Sequence, residues 1–234
     1  MEINYKDIKV IGFDADDTLW VNETYFRDAE NEIGQLLSKH ETPNKIDQEL
    51  FKKEISNLPL DGYGVKAFTL SMVEVALELS NYTVSNQTIQ AILNIGKDML
   101  NKPVDLLDGV EVVLENLSKK YKLILATKGD LLDQERKLEK SGLTDYFHHI
   151  EVLSDKQEDN YSKLLNRLDV KPSEFLMVGN SLKSDVLPLV NLKAQAVHVP
   201  FHTTWAHEKV TEKETNGKAY KTINTLKDLL KLID

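Results

Sequence analysis

Five short apolar segments recur along this chain, at Ile8 to Phe13, Leu123 to Ala126, Ile150 to Leu153, Phe175 to Val178 and Ala196 to Val199. Each has the length and bounding polar residues of a buried strand. Amphipathic helical patterns lie between the later ones: Val110 to Lys120, Leu131 to Ser141 and Tyr161 to Leu168. Alternation of strand and helix implies a parallel sheet with helices on both faces, because right-handed crossovers place them there. The first and second segments are about a hundred residues apart, far more than one crossover needs. Something is inserted between them.

The insertion reads as helical throughout. Four apolar periodicities, over Thr24 to His40, Lys45 to Ser56, Val65 to Leu79 and Asn86 to Leu100, predict a small bundle, with Ser85 as the N-cap of the last helix. Breaks are expected at Thr42-Pro43, across Pro59 to Gly64 and around Lys102-Pro103. Composition sets outer bounds. A hydrophobic share of 41% with 29% charged residues is that of an ordinary folded chain. The net charge of -9 gives no encouragement to bind nucleic acid or an anionic membrane, which need clustered cations. Zero cysteines exclude disulfides, thiolate metal sites and cysteine nucleophiles. With no signal-like start and no apolar run near the roughly 20 residues of a membrane span, a cytoplasmic protein is expected.

The chemistry concentrates where the apolar segments end. The first runs into FDADDT, so Asp14, Asp16 and Asp17 emerge at the carboxyl end of a strand, where open parallel sheets bind ligands. Three carboxylates within four positions repel one another unless a cation or a proton relieves them, and a hard divalent cation would do so. Taken alone they also read as a solvated turn or the cap of the following helix. The second segment ends in Thr127 and Lys128, the third is followed by Lys156, and the fourth by Gly179, Asn180 and Asp185. Glycine allows close backbone approach, and the last two side chains offer oxygen ligands.

DADDT, Thr127 after its apolar run, Lys156 and GNSLKSD stand in the order and spacing of the four motifs of the haloacid dehalogenase superfamily, which this chain resembles over its core and its insertion. The fold class expected is α/β: a Rossmann-like parallel sheet with helices on both faces, residues 1–20 and 106–234, and an inserted helical-bundle cap, residues 21–105. The resemblance implies a Mg²⁺-dependent phosphomonoester hydrolase that acts through an aspartyl-phosphate intermediate on a small phosphorylated metabolite. Asp14 would be the nucleophile and Asp16 the acid and base. Thr127, Lys128 and Lys156 would hold phosphoryl oxygens, with Lys163 the alternative third-motif lysine because Gln157 follows Lys156. Asp14, the backbone carbonyl of Asp16, Asn180 and Asp185 would hold Mg²⁺. The superfamily usually has Asp where this chain has Asn180, which predicts a site that leans more on Asp185.

Other signals are weaker. Tyr63, in the loop between two cap helices, is a candidate substrate contact. His198, His202 and His207 match no helical pair of metal ligands and read as structural. Glu208 to Lys221 reads as a solvated loop and helix face. Two other functions compete: hydrolytic dehalogenation, which needs an aspartate nucleophile but not Asp16, and a catalytically weak phosphate-binding or sensor protein. Neither the oligomeric state nor the identity of the substrate is legible.

Overall fold

The computed structural model describes residues 5–233. Six strands form one sheet: β1 (Val10–Phe13), β2 (Lys122–Lys128), β3 (His149–Leu153), β4 (Phe175–Gly179), β5 (Gln195–His198) and β6 (Lys221–Thr222). Their order is β3-β2-β1-β4-β5-β6 and every pairing is parallel. β1 lies where the order turns back, with β2 on one side and β4 on the other, and ligands of open α/β sheets bind outside the carboxyl ends at such a point. The five expected strands are present. β6 is an addition, only two residues long and exposed, with no apolar run to announce it.

Alternate residues feed two cores because successive side chains on a strand point to opposite faces. Ile11, Phe13, Leu123, Leu125, Leu176 and Val178 pack with Val113, Leu114 and Leu117 of α5 (Val110–Leu117), Leu138 of α6 (Leu131–Ser141) and Leu229 of α9 (Asp228–Ile233). Val10, Ile124, Ala126, Phe175, Met177 and Ala196 pack with Tyr161, Leu164 and Leu165 of α7 (Glu158–Leu168) and Leu189 of α8 (Leu187–Asn191). The predicted helices on both faces are both there.

Two compact units divide the chain. The sheet unit comprises the residues up to Glu23, Val104–Lys128 and the residues from Glu135 onward. The other takes Thr24–Pro103 together with Gly129–Gln134. Within it run α1 (Glu23–Leu36, from its second residue), α2 (Pro43–Asp61), α3 (Val65–Leu79) and α4 (Asn86–Asn101). Their apolar faces meet in a core that includes Ile33, Leu37, Leu50, Phe68, Met72 and Ile92. Ser85 caps α4 as expected, its Oγ accepting the Thr88 amide at 3.0 Å. One expectation fails here. α2 continues through Pro59 to Asp61 and stops at Gly62, whose φ of 72° only glycine adopts readily. A proline this near the end forfeits a single ladder bond, too little to stop the helix before a better terminator. Among the described residues no helix is long and apolar enough to cross a membrane.

Candidate active site

The candidate site's strand-end residues lie in the sheet unit. Phe13 pairs with Leu125 on β2 and Val178 on β4, so Asp14, Thr127 and Gly179 all emerge at one edge. The Asp14 amide still donates to the Val178 carbonyl at 2.9 Å, which fixes its backbone to the end of the sheet. Its side chain is buried. The Lys156 ammonium, fully buried in the loop between β3 and α7, donates to Asp14 Oδ1 and to Asp185 Oδ1, the latter at 2.6 Å. Lys163 is exposed on α7, so of the two lysines it is Lys156 that meets the carboxylates.

The fourth-motif loop leaves Gly179 in a tight π-turn, Leu182–Val186, that folds Asp185 back against the strand. Asp185 Oδ2 accepts the Ser181 amide at 2.9 Å. A Cβ at position 179 would stand 2.3 Å from the Asp185 carboxyl carbon, so glycine is required for that approach. The Asn180 backbone N–H donates to Thr18 Oγ1 at 3.0 Å, and its backbone carbonyl accepts from His198 Nε2 at 3.0 Å, an assignment that puts the ring proton on that nitrogen. Thr18 Oγ1 also lies 3.2 Å from Asp14 Oδ2 and 3.4 Å from Asn180 Oδ1, and its one proton serves whichever it faces. Thr18 thereby ties the first motif to the fourth.

The three carboxylates after β1 separate by partner. Asp16 Oδ1 accepts from the Trp20 indole at 2.7 Å and from Lys137 Nζ at 2.6 Å. Asp17, at φ 61°, turns the chain and takes the amides of Asn22 and Glu23 at 2.8 and 3.0 Å, where α1 begins. Carboxylate acceptors suit the exposed amides of a helix start. Burial pushes the Asp17 carboxyl up to about 7. Thr127 is buried at the end of β2, with its Oγ1 3.3 Å from the Lys128 carbonyl. Lys128 reaches sideways to Ser184 Oγ at 3.0 Å and Glu208 Oε1 at 2.7 Å.

Charge is unbalanced at the centre. For Lys156 burial pulls downward, but Asp14 and Asp185 outweigh it and hold the ammonium well above its ordinary range. Asp14 is pushed up by its burial and then by Asp185, against the pull of Lys156. One cation faces two buried carboxylates, which leaves surplus negative charge. That, and a donor set made of oxygens, suits a hard divalent cation. Among the described residues no three His, Cys, Asp or Glu side chains converge as a metal-holding group. The set named from the sequence instead has two carboxylates, one backbone carbonyl and one amide oxygen.

Several contributors were not read from the sequence. Lys137 lies 121 residues from Asp16, a contact no local pattern announces. Glu208 corrects the expectation of a solvated loop: Ser181 and Ser184 both donate to its Oε2, and Lys128 pairs with Oε1. Burial pushes Glu208 up, yet Lys128 and the two hydroxyls outweigh it and hold the carboxyl at about 2. Tyr63 lies in the other unit, in the loop between α2 and α3. His207 lies 3.2 Å from Lys183 Nζ, and His202 stacks near Phe201.

This fold and these strand ends are those of the haloacid dehalogenase-like hydrolases, and the chain belongs to that family, whose model matches residues 8–192. It is a hydrolase. A crystal structure of a haloacid dehalogenase-like family hydrolase from Xanthomonas campestris superposes with a TM-score of 0.86, at 34% identity over 97% of this chain and 92% of that one. Glyceraldehyde 3-phosphate phosphatase from Pyrococcus furiosus is 27% identical over 97% of this chain and 93% of its own length. Human N-acylneuraminate-9-phosphatase is 30% identical over 86 residues, so the match covers only 35% of either protein. Dehalogenase structures share the fold too, one at 18% identity, so the fold by itself does not choose between the two chemistries.

Proposed function

We propose that the chain is a Mg²⁺-dependent phosphomonoester hydrolase that works through an aspartyl phosphate on Asp14. The observation that carries this reading is the buried Lys156 ammonium shared by Asp14 and Asp185, which orients a carboxylate at the switch point of the sheet. Asp14 would attack phosphorus in line while the ester P–O bond breaks, and the departing alcohol oxygen would take a proton from Asp16. Water would then bond to phosphorus, give its proton to Asp16 and release Asp14. Thr127 and Lys156 would hold the equatorial phosphoryl oxygens. Mg²⁺, held by Asp14, the Asp16 carbonyl, Asn180 and Asp185, would supply charge stabilisation for the transferring group.

Asp16 is what favours a phosphatase over a dehalogenase, since halide departs without a proton. Small phosphorylated metabolites are the proposed substrates, in keeping with the compounds named by the two phosphatase relatives. We read the helical unit as the family's cap. The test offers p-nitrophenyl phosphate, sugar phosphates, nucleotides and 2-haloacids, with Mg²⁺ or EDTA, to the protein and to Asp14→Asn. Phosphate release that needs Mg²⁺ and is lost in Asp14→Asn is expected. Halide release, or phosphate release that survives either EDTA or the substitution, would refute the proposal.

A further inference from the structure

We propose that Lys137 is a positioning residue for Asp16: with the Trp20 indole it holds Oδ1 of that carboxylate and so fixes how the side chain is presented to the leaving group. This rests on the phosphatase reading above, in which Asp16 is the acid and base.

Both donors converge on the same atom. Trp20 Nε1 lies 2.7 Å from Asp16 Oδ1 and Lys137 Nζ lies 2.6 Å from it. Trp20 is fully buried and four residues along the chain, so its N–H is a fixed point. Lys137 comes from α6, and its ammonium also donates to Asn22 Oδ1 at 3.3 Å, which places it between the first-motif loop and the start of α1. Its side chain is only 19% exposed, where the paired lysines 119 and 231 are 63% and 82% exposed. A surface ion pair of that exposed kind contributes little, because two mobile chains must be held in high dielectric. Lys137 is different: it is drawn in beside a rigid donor and onto the carboxylate that must face the leaving group.

The chemical consequence follows from the geometry of a carboxyl group. A carboxyl with one anchored point can still turn about its Cβ–Cγ bond. Two donors on Oδ1 oppose that rotation, so the carboxyl group keeps one place while it gives a proton to the alcohol oxygen and later takes one from water. General acid catalysis depends on such placement, since the donor must lie within hydrogen-bond reach of the departing oxygen.

Lys137→Met keeps the length of the side chain and removes the ammonium; Lys137→Arg restores a cation. The kinetic arm measures kcat/KM for glycerol 3-phosphate, whose alkoxide needs a proton, and for p-nitrophenyl phosphate, whose phenolate departs without one. In Lys137→Met we expect kcat/KM for the alkyl ester to fall roughly 10- to 100-fold through kcat, with KM little changed, and that for the aryl ester to fall less than about threefold. Lys137→Arg should recover most of the alkyl activity. Equal losses on both esters, or no loss on either, would overturn the positioning role. The second arm follows the Trp20 Nε1–H resonance, assigned with Trp20→Phe, which should move in Lys137→Met; an unmoved resonance would overturn the clamp. A wild-type protein that releases phosphate from no ester of the panel above fails the phosphatase reading, whereas the indole resonance reads the clamp without turnover.

Discussion

Replacing Glu208 by Gln should destabilise the fold by an amount that depends on pH in one direction only. The carboxyl is held at about 2 against an ordinary 4.5, with its side chain 13% exposed and paired to Lys128 at 2.7 Å. A depressed acid contributes stability that is complete above its unfolded pKa and is lost as pH falls through the folded one. A difference of about 2.5 units corresponds to about 3 kcal/mol at pH 7, of which linkage leaves about 1.5 kcal/mol at pH 3. Gln cannot form the ion pair with Lys128, but its amide oxygen can still accept from both serines, so the charge dominates the change. Urea unfolding of both proteins from pH 7 to pH 3, compared at each pH, cancels every other titrating group. The gap between them should close by about half. A gap that stays constant with pH, or one below about 0.5 kcal/mol at pH 7, would refute the electrostatic account.

Two substitutions test the fourth motif. Gly179→Ala places a Cβ 2.3 Å from the Asp185 carboxyl carbon, which must then leave its place beside Lys156; we expect turnover to fall at least about 100-fold with the fold kept, as judged by circular dichroism. Asn180→Asp adds a charge where the family usually carries one and should lower the Mg²⁺ concentration for half activity several-fold. No change would mean that Asn180 is not a ligand.

The parts of the fold that were legible are those encoded locally. β1 to β5 are apolar runs with polar ends, and the Ser85 cap sits directly before an amphipathic period. β6 has neither an apolar run nor length, being held only by its pairing to β5. The end of α2 is ambiguous in the sequence because Pro59 and Gly62 both signal a stop and only the second one acts. In the candidate site, Asp14 could be named because it directly follows a strand, and Lys156 and Asp185 because the order and spacing of the segments resemble the family's motifs. Lys137 and Glu208 could not. Each is one charged residue among many on a helix or loop, and what singles them out is a partner 121 residues away, or 80 away in the case of Lys128 and Glu208. The three histidines drew attention in the segment that ends at Glu208, and it is the glutamate that meets the fourth-motif serines.

The central claim is that Asp14 carries the phosphoryl group. Acid quench during turnover of a small phosphate ester with Mg²⁺, borohydride reduction of the acyl phosphate and peptide mass spectrometry would read it directly. Reduction confined to position 14, and absent from untreated protein, is the predicted result. Steady turnover with no reduced aspartate, or with reduction at another aspartate, would contradict it.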